Sequence, residues 1–316
     1  MQQYFDRKKH PLGAWVGIVL VTVALVLLPF VLAGIGTAWV RITNLAILFV
    51  LLSLGLNIVV GFAGLLDLGY IAFYAVGAYV YALLASPHFD LHLPFWIILP
   101  IGAAVACLFG VLLGAPTLKL RGDYLAIVTL GFGEIIRVVL QNIDAVGGPR
   151  GLIGIPGYTT LFWAFGFAAV AVYVVWCLVN STYGRGFLAV ADDEIAAEAM
   201  GINTTRYKIT AFLVGAFFAG LAGGIYAHFK QYISPQGFGF DRSIEIVVMV
   251  ILGGMGNTAG VILAAILLTV LGESLRQFGD FRMILYSLAI IVLMIVRPQG
   301  LFGSRLFTLR RRRSPP

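Results

Sequence analysis

The sequence predicts an all-α membrane protein, a polytopic transmembrane helical bundle of about ten spans in which some helices are short or broken. Three observations predict this fold class. Of the 316 residues, 60% are hydrophobic and only 11% are charged, and the mean hydropathy is +0.99. Apolar runs of about 18 residues or more recur along the chain, and each is long enough to cross a bilayer. Glycine and proline interrupt several of these runs, which predicts broken helices.

Ten apolar stretches are candidate spans. They are residues 12–36, 39–60, 67–85, 94–116, 124–140, 160–179, 207–229, 244–252, 259–275 and 283–296. Two loops rich in glycine and proline, 141–158 and 234–240, separate some of them. We therefore expect one transmembrane domain, 12–303, between a short N-terminal segment, 1–11, and a basic tail, 304–316.

The positions of Lys and Arg predict the orientation. With the N-terminus in the cytoplasm, ten spans place 14 of these residues on the cytoplasmic side and seven on the other. Cytoplasmic loops carry such an excess of Lys and Arg, so both termini are predicted to be cytoplasmic. The same bias accounts for the positive net charge, which therefore does not indicate nucleic-acid binding. Glycine-interrupted segments occur in both halves, at 61–69 and 253–256. Span two enters the membrane from outside and span seven from inside, so if spans two to five and seven to ten are related units, they are inverted repeats.

Residues 183–202 form a polar, helix-forming segment on the predicted cytoplasmic side. Asp192, Asp193 and Glu194 stand at its start, where carboxylates favour the positive end of a helix dipole. Alanines follow, and Gly201 is placed to end the helix in a left-handed cap. We expect one short amphipathic helix of about two and a half turns, which either seats in a groove of another protein or is an ordinary solvated loop helix.

Several ionisable side chains lie inside or near the predicted spans: Asp67, Glu134, Arg137, His228, Glu245 and Glu273. Such residues are expensive in a bilayer and are functional candidates. One interpretation is a proton-coupled secondary transporter. The favoured interpretation is a structural or interfacial role. Glu134 and Arg137 are three residues apart on a helix and can neutralise each other, and Asp67, Glu245 and Glu273 lie near predicted span ends or loops, where water can reach them.

Motifs typical of enzymes are missing from the sequence. There is no G-x-x-x-x-G-K-[ST] phosphate-binding loop, and no H-E-x-x-H or C-x-x-C pair. Four scattered histidines do not predict a metal site, and Cys107 and Cys177 are predicted to be buried thiols within apolar runs. We expect no enzyme, no catalytic residues, no metal and no cofactor bound by this chain.

Several blocks of sequence resemble one transporter family. Residues 194–201, EIAAEAMG, resemble the coupling loop of ABC importer permeases. Five further blocks extend the resemblance: GLLDLGYIAFYAVGAY (64–79), RGDYLAIVTLGFGEIIR (121–137), GGPRGL (147–152), GGMGNTAG (253–260) and RPQGLFG (297–303). Over nearly the whole chain, they resemble the LivM-type permease subunit of branched-chain amino-acid ABC importers.

The resemblance implies a permease subunit that translocates branched-chain or related amino acids across a bacterial inner membrane. ATP would be bound by partner subunits. The implied partners are a LivH-type permease subunit, two ATP-binding cassette subunits, an extracytoplasmic amino-acid-binding protein and membrane lipid. A urea or short-chain amide ABC permease is closely similar and is the alternative.

Two sets of residues are predicted to act in transport. Those predicted to couple to the ATPase are Asp192, Asp193, Glu194, Ala197, Glu198, Ala199 and Gly201. Those predicted to form the pathway or a gate are Tyr70, Phe73, Tyr74, Gly77, Gly253 and Gly254.

Overall fold

The structure, a computed structural model, describes residues 37–85, 94–117, 120, 122–157, 161–296 and 300. Within this part, the helices are α1 Thr37–Leu56, α2 Ile71–Ala85, α3 Phe95–Thr117, α4 Asp123–Asn142, α5 Leu161–Val179, α6 Thr182–Asp192, α7 Glu194–Ala199, α8 Thr204–Lys230, α9 Phe240–Gly253, α10 Thr258–Ser274 and α11 Arg282–Val296. A π-helical turn, Asn57–Phe62, continues α1, and 3₁₀ turns are formed by Asp144–Val146, Gly148–Arg150, Pro235–Phe238 and Leu275–Phe281. The first predicted span, 12–36, and the basic tail lie outside the described residues.

The all-α membrane architecture is confirmed, whereas the count of about ten spans is not. By length and composition, four described helical segments are suited to crossing a membrane: Ala38–Phe62, Phe95–Thr117, Thr204–Lys230 and Thr258–Gly279. A fifth is added if the pair Trp163–Val179 and Thr182–Asp192, which is bent by 69°, is one span.

Helix α8 is the centre of the bundle and packs most extensively against α2 and α3. Small residues allow the backbones to approach, as is usual where apolar lipid removes the hydrophobic drive between helices. A Cβ added to Gly77 of α2 would lie only 2.3 Å from the carbonyl oxygen of Gly220 in α8. The contact between α2 and α8 therefore depends on glycine at these two positions.

Two breaks interrupt the helices, one in each half of the chain, where glycine-rich segments predicted them. Between the π-helical turn and α2, residues 63–70 are not helical, so α2 begins at Ile71 rather than at Asp67. Between α9 and α10, Gly254 and Gly256 take left-handed φ angles of 95° and 77°. The π-helical turn before the first break contacts the second break, because the side-chain oxygen of Asn57 accepts a hydrogen bond of 2.9 Å from the Gly256 amide.

The two glycine- and proline-rich loops dock against each other. Strand β1, Leu152–Ile153, pairs antiparallel with β2, Tyr232–Ile233, with Leu152 opposite Ile233. Beside this ribbon, the Gln236 side chain donates a 3.1 Å hydrogen bond to the Pro149 carbonyl. The loop that follows α4 is thereby joined to the segment that follows α8.

Candidate functional site

The polar segment 183–202 folds as two helices, so the expectation of a single helix was wrong. The chain breaks at Asp193, whose backbone is extended (φ −159°, ψ 110°) between α6 and α7. The Asp193 side chain accepts hydrogen bonds from the amides of Ile195 (2.9 Å) and Ala196 (3.1 Å). Short polar side chains compete with the backbone in this way and cap helices. Asp192 is consequently the last residue of α6 and does not belong to the start of α7.

The C-terminal end of α7 matches the predicted left-handed cap. Gly201 has a φ of 81°. Its amide donates to the Glu198 carbonyl at 2.9 Å, and the Ile202 amide donates to the Ala197 carbonyl at 3.0 Å. This pair of bonds is the Schellman arrangement, which satisfies the last carbonyls of a helix and turns the chain back.

The carboxylates of α7 attach it to α8. The Glu194 carboxylate lies 2.5 Å from the Lys208 ammonium, and the two side chains are only 18% and 5% exposed. One turn further, Glu198 accepts a 2.7 Å hydrogen bond from the Thr204 hydroxyl. Ala197 is buried. Both acidic residues therefore have partners within this chain, which gives α7 a fixed position.

The outer side of α7 is apolar and exposed. The Ile195 side chain is 65% exposed and Met200, immediately after the helix, is 82% exposed. Sequence reasoning did not single out Met200 as a site residue, although its place directly before the cap glycine could have indicated it. We call the exposed Ile195, Ala199 and Met200 the α7 tip.

The helix before the α7 tip also contacts the broken segment of the first half. A Cβ added to Gly64 would lie 3.1 Å from the Cβ of Ala191, near the end of α6. Leu68, in the same non-helical segment, receives a hydrogen bond from Ser243 of α9, and its amide donates to the Thr129 hydroxyl of α4 at 3.0 Å. Residues 63–70 thus connect α6 with α4 and α9.

The residues predicted for the pathway or gate are mostly interior. Tyr70, Phe73 and Tyr74 are 0%, 1% and 7% exposed, and the Tyr70 hydroxyl donates to the Gly215 carbonyl at 3.0 Å. Within the described chain these residues, like Gly77, pack helices against one another. Gly253 lies at the contact of α9 with α10, and Gly254 forms the turn after α9. A pathway role for the whole set stays a prediction.

The predicted pairing of Glu134 with Arg137 is confirmed, and other charged residues near the predicted spans form pairs that were not predicted. Within α4, Arg137 donates from Nε (2.8 Å) and Nη2 (2.6 Å) to Glu134 Oε2. Two further pairs are Glu245 with Arg242 at 2.6 Å and Glu273 with Arg276 at 3.0 Å, and Glu273 also bonds Arg41. The Nδ1 atom of His228 lies 2.7 Å from the Tyr81 hydroxyl.

Two buried polar residues lie in the first break or in the π-helical turn before it. Asp67 is fully buried, so the expectation that water reaches it was wrong, and its Oδ1 accepts a 2.9 Å hydrogen bond from the Gly69 amide. Asn57 is also fully buried and reaches the second break through Gly256. Sequence reasoning missed Asn57, because its partner lies 199 residues away in the chain.

The described residues contain no cluster of three or more His, Cys, Asp or Glu that could hold a metal ion. The prediction of two buried thiols was wrong for Cys177, which is exposed on α5, whereas Cys107 is partly buried. An apolar side chain on a span can face lipid as readily as protein, which explains the error.

Comparisons with known proteins identify the family. A family model described as "Branched-chain amino acid transport system / permease component" matches residues 38–297. Two relatives are each named "High-affinity branched-chain amino acid transport system permease protein LivM". The Salmonella typhimurium protein is 40% identical and the Escherichia coli protein 41%, over 83% of this chain and 69% of each relative. The LivH permease protein of the same Escherichia coli system is 27% identical over 45% of this chain and 46% of its own length. No solved structure matches. The chain therefore belongs to the family of permease components of branched-chain amino acid transport systems.

Proposed function

We propose that the chain is the transmembrane permease subunit of an ABC importer for branched-chain or related amino acids. Its relatives are named as permease proteins of a high-affinity system for these substrates. The chain has no phosphate-binding loop of its own, so ATP would be hydrolysed by two partner subunits. A LivH-type permease would complete the membrane part, since LivM and LivH relatives carry the name of one system.

The observation that carries the proposed coupling is the fixed position of α7. Six residues are too few for a helix that is stable alone. Here Asp193 caps the start, Gly201 ends the helix, and Glu194 binds Lys208 of α8. A partner that binds the exposed α7 tip and displaces α7 would consequently displace α8 as well.

The remaining arrangement follows from this role. The α7 tip would face the cytoplasm, where the ATPase subunits bind, and both termini would lie on the same side of the inner membrane. An extracytoplasmic binding protein would deliver the amino acid to the opposite face. The ten-span topology, with breaks in both halves, would provide alternating access by rocking of the spans.

The first experiment is purification of the tagged chain from native membranes, with identification of the proteins that accompany it. We expect a second permease and ATPases with phosphate-binding loops. Recovery of the chain alone, still active in transport after reconstitution, would refute the ABC assignment and favour the proton-coupled alternative.

The docking role is tested by charged substitutions at the α7 tip. Ile195→Asp and Met200→Asp change exposed side chains and leave the bonds between α7 and α8 intact. Loss of an apolar anchor in an interface typically costs about 2 kcal/mol or more, which is roughly a 30-fold loss of affinity. We expect such a loss in ATPase co-purification.

Thr205→Asp is the control, since it places the same charge on the exposed first turn of α8. Normal ATPase binding by both tip variants would refute docking through α7. Glu198→Lys is a less specific test, because it also removes the bond to Thr204.

A further inference from the structure

Helix α4 carries an ion pair far from both of its ends. It has 20 residues, about 30 Å at 1.5 Å per residue, which is the length of a span. Glu134 lies about 16 Å along the axis from Asp123 and about 12 Å from Asn142 by the same rise. Helix α4 is not among the described helices whose length and composition suit them to crossing a membrane. In the proposed importer α4 would be a span, and the pair would then lie at a depth where charge is costly unless protein or water surrounds it.

The pair is not enclosed by this chain. The side chains of Glu134 and Arg137 are 34% and 30% exposed. Both hydrogen bonds from Arg137 end on Oε2 of Glu134, and the described residues give no hydrogen bond to Oε1. One carboxylate oxygen and part of the guanidinium thus remain available to a ligand.

The position of the pair on the helix defines a stripe. At about 100° per residue, Leu130, Glu134 and Arg137 fall within about 60° of one another. On one side of this stripe, Thr129 and Gly133 are buried against residues 68–69. On the other, Val139 faces outward with 44% exposure. The stripe lies at the border between the packed face and the outer face of α4.

We propose that the stripe of Leu130, Glu134 and Arg137 lines the aqueous substrate passage, with the two charges contacting the backbone of a zwitterionic α-amino acid. Oε1 of Glu134 accepts from the ammonium group, and the Arg137 guanidinium donates to the carboxylate, as charge-assisted hydrogen bonds. Leu130, one turn away, contacts the apolar side chain of the substrate. This inference rests on the proposed importer function and specifies its substrate contacts.

Cysteine labelling tests whether the stripe faces water. In a background of Cys107→Ser and Cys177→Ser, which removes both native thiols, single cysteines are placed at four positions of α4 in the complete transporter. Leu130→Cys and Val138→Cys lie on the side of the pair. Val128→Cys and Val139→Cys lie on the outer face, about 80° and about 100° from Val138 around the helix axis.

The adjacent Val138 and Val139 are matched, with 46% and 44% exposure and the same side chain. We expect a charged methanethiosulfonate reagent to modify the cysteines at 130 and 138 at least tenfold faster than those at 128 and 139. Equal rates at all four positions, whether fast or slow, would refute the passage.

Charge-neutral variants test the substrate contact. If the two charges only neutralise each other, removing both should have little effect, and the Glu134→Gln/Arg137→Gln transporter would transport normally. A pair that binds the zwitterion cannot be replaced in this way, and we expect the double variant to lose at least tenfold in the apparent affinity for leucine, isoleucine and valine.

Co-purification of this variant with its partner subunits checks that the transporter still assembles. Normal affinity in the double variant would refute the contact while leaving the importer assignment intact. Failure of the unmodified transporter to take up any of the three amino acids would instead refute the proposed substrate class.

Discussion

Replacing Glu194 by Gln should release α7 from α8 without unfolding the spans. The Lys208 side chain is 5% exposed and lies 2.5 Å from the Glu194 carboxylate. Removing one partner of a buried pair typically costs about 3–5 kcal/mol. Gln keeps a carbonyl oxygen that can accept a weaker bond, so we expect the lower end, about 3 kcal/mol.

The loss should appear as local opening, because a helix of six residues has little stability of its own. Opening should become roughly 100-fold more frequent for a loss of about 3 kcal/mol. Amide hydrogen exchange followed by mass spectrometry measures it in a peptide that covers residues 193–203. The informative amides are those hydrogen-bonded in α7 and its cap, at Ala197, Met200, Gly201 and Ile202.

Two comparisons make the result specific. Asp192→Asn is the same type of change at an exposed position two residues earlier, and it should leave exchange unaltered. Glu194→Gln/Lys208→Met removes both charges and should restore most of the protection. If Glu194→Gln exchanges like the unmodified protein, the ion pair does not hold α7 against α8 and cannot couple movement of the one helix to the other.

Two further predictions concern packing between helices. Gly77→Ala places a Cβ 2.3 Å from the Gly220 carbonyl oxygen, so α2 and α8 must separate, at a cost of about 1–3 kcal/mol. The melting temperature of Gly77→Ala in detergent should fall. Gly131→Ala is the control, because no atom lies within 4 Å of its added Cβ, and its melting temperature should be unchanged or higher. Equal changes in the two variants would contradict the close contact between α2 and α8. Asn57→Ala leaves the Gly256 amide without its 2.9 Å acceptor, at a cost of about 1–3 kcal/mol. Thermal unfolding should show the loss, and an unchanged melting temperature would mean that other contacts hold the π-helical turn against the second break.

The helices could be predicted from the sequence because their signal is local. Continuous apolar runs define them, and the glycines at 61–69 and 253–256 mark the breaks. The pair of Glu134 and Arg137 was predictable for the same reason, since both residues lie on one helix three positions apart.

What the sequence did not reveal depends on distant partners or on a single backbone angle. Nothing local indicates that Glu194 will meet Lys208, or that Leu152 will pair with Ile233. The break at Asp193 lies inside a run of good helix formers, where one capping side chain outweighs propensity. The candidate site is therefore predictable as a segment, but its inner and outer faces are not.

The small ribbon of β1 and β2 ties two loops together. It joins the loop after α4 to the segment directly after α8, so these two ends cannot separate freely. Helix α8 has 27 residues and is about 40 Å long. A tilt of α8 by about 10° about the ribbon would move its far end by about 7 Å, given that length. That far end carries α7, so the displacement from such a tilt would be largest at the α7 tip.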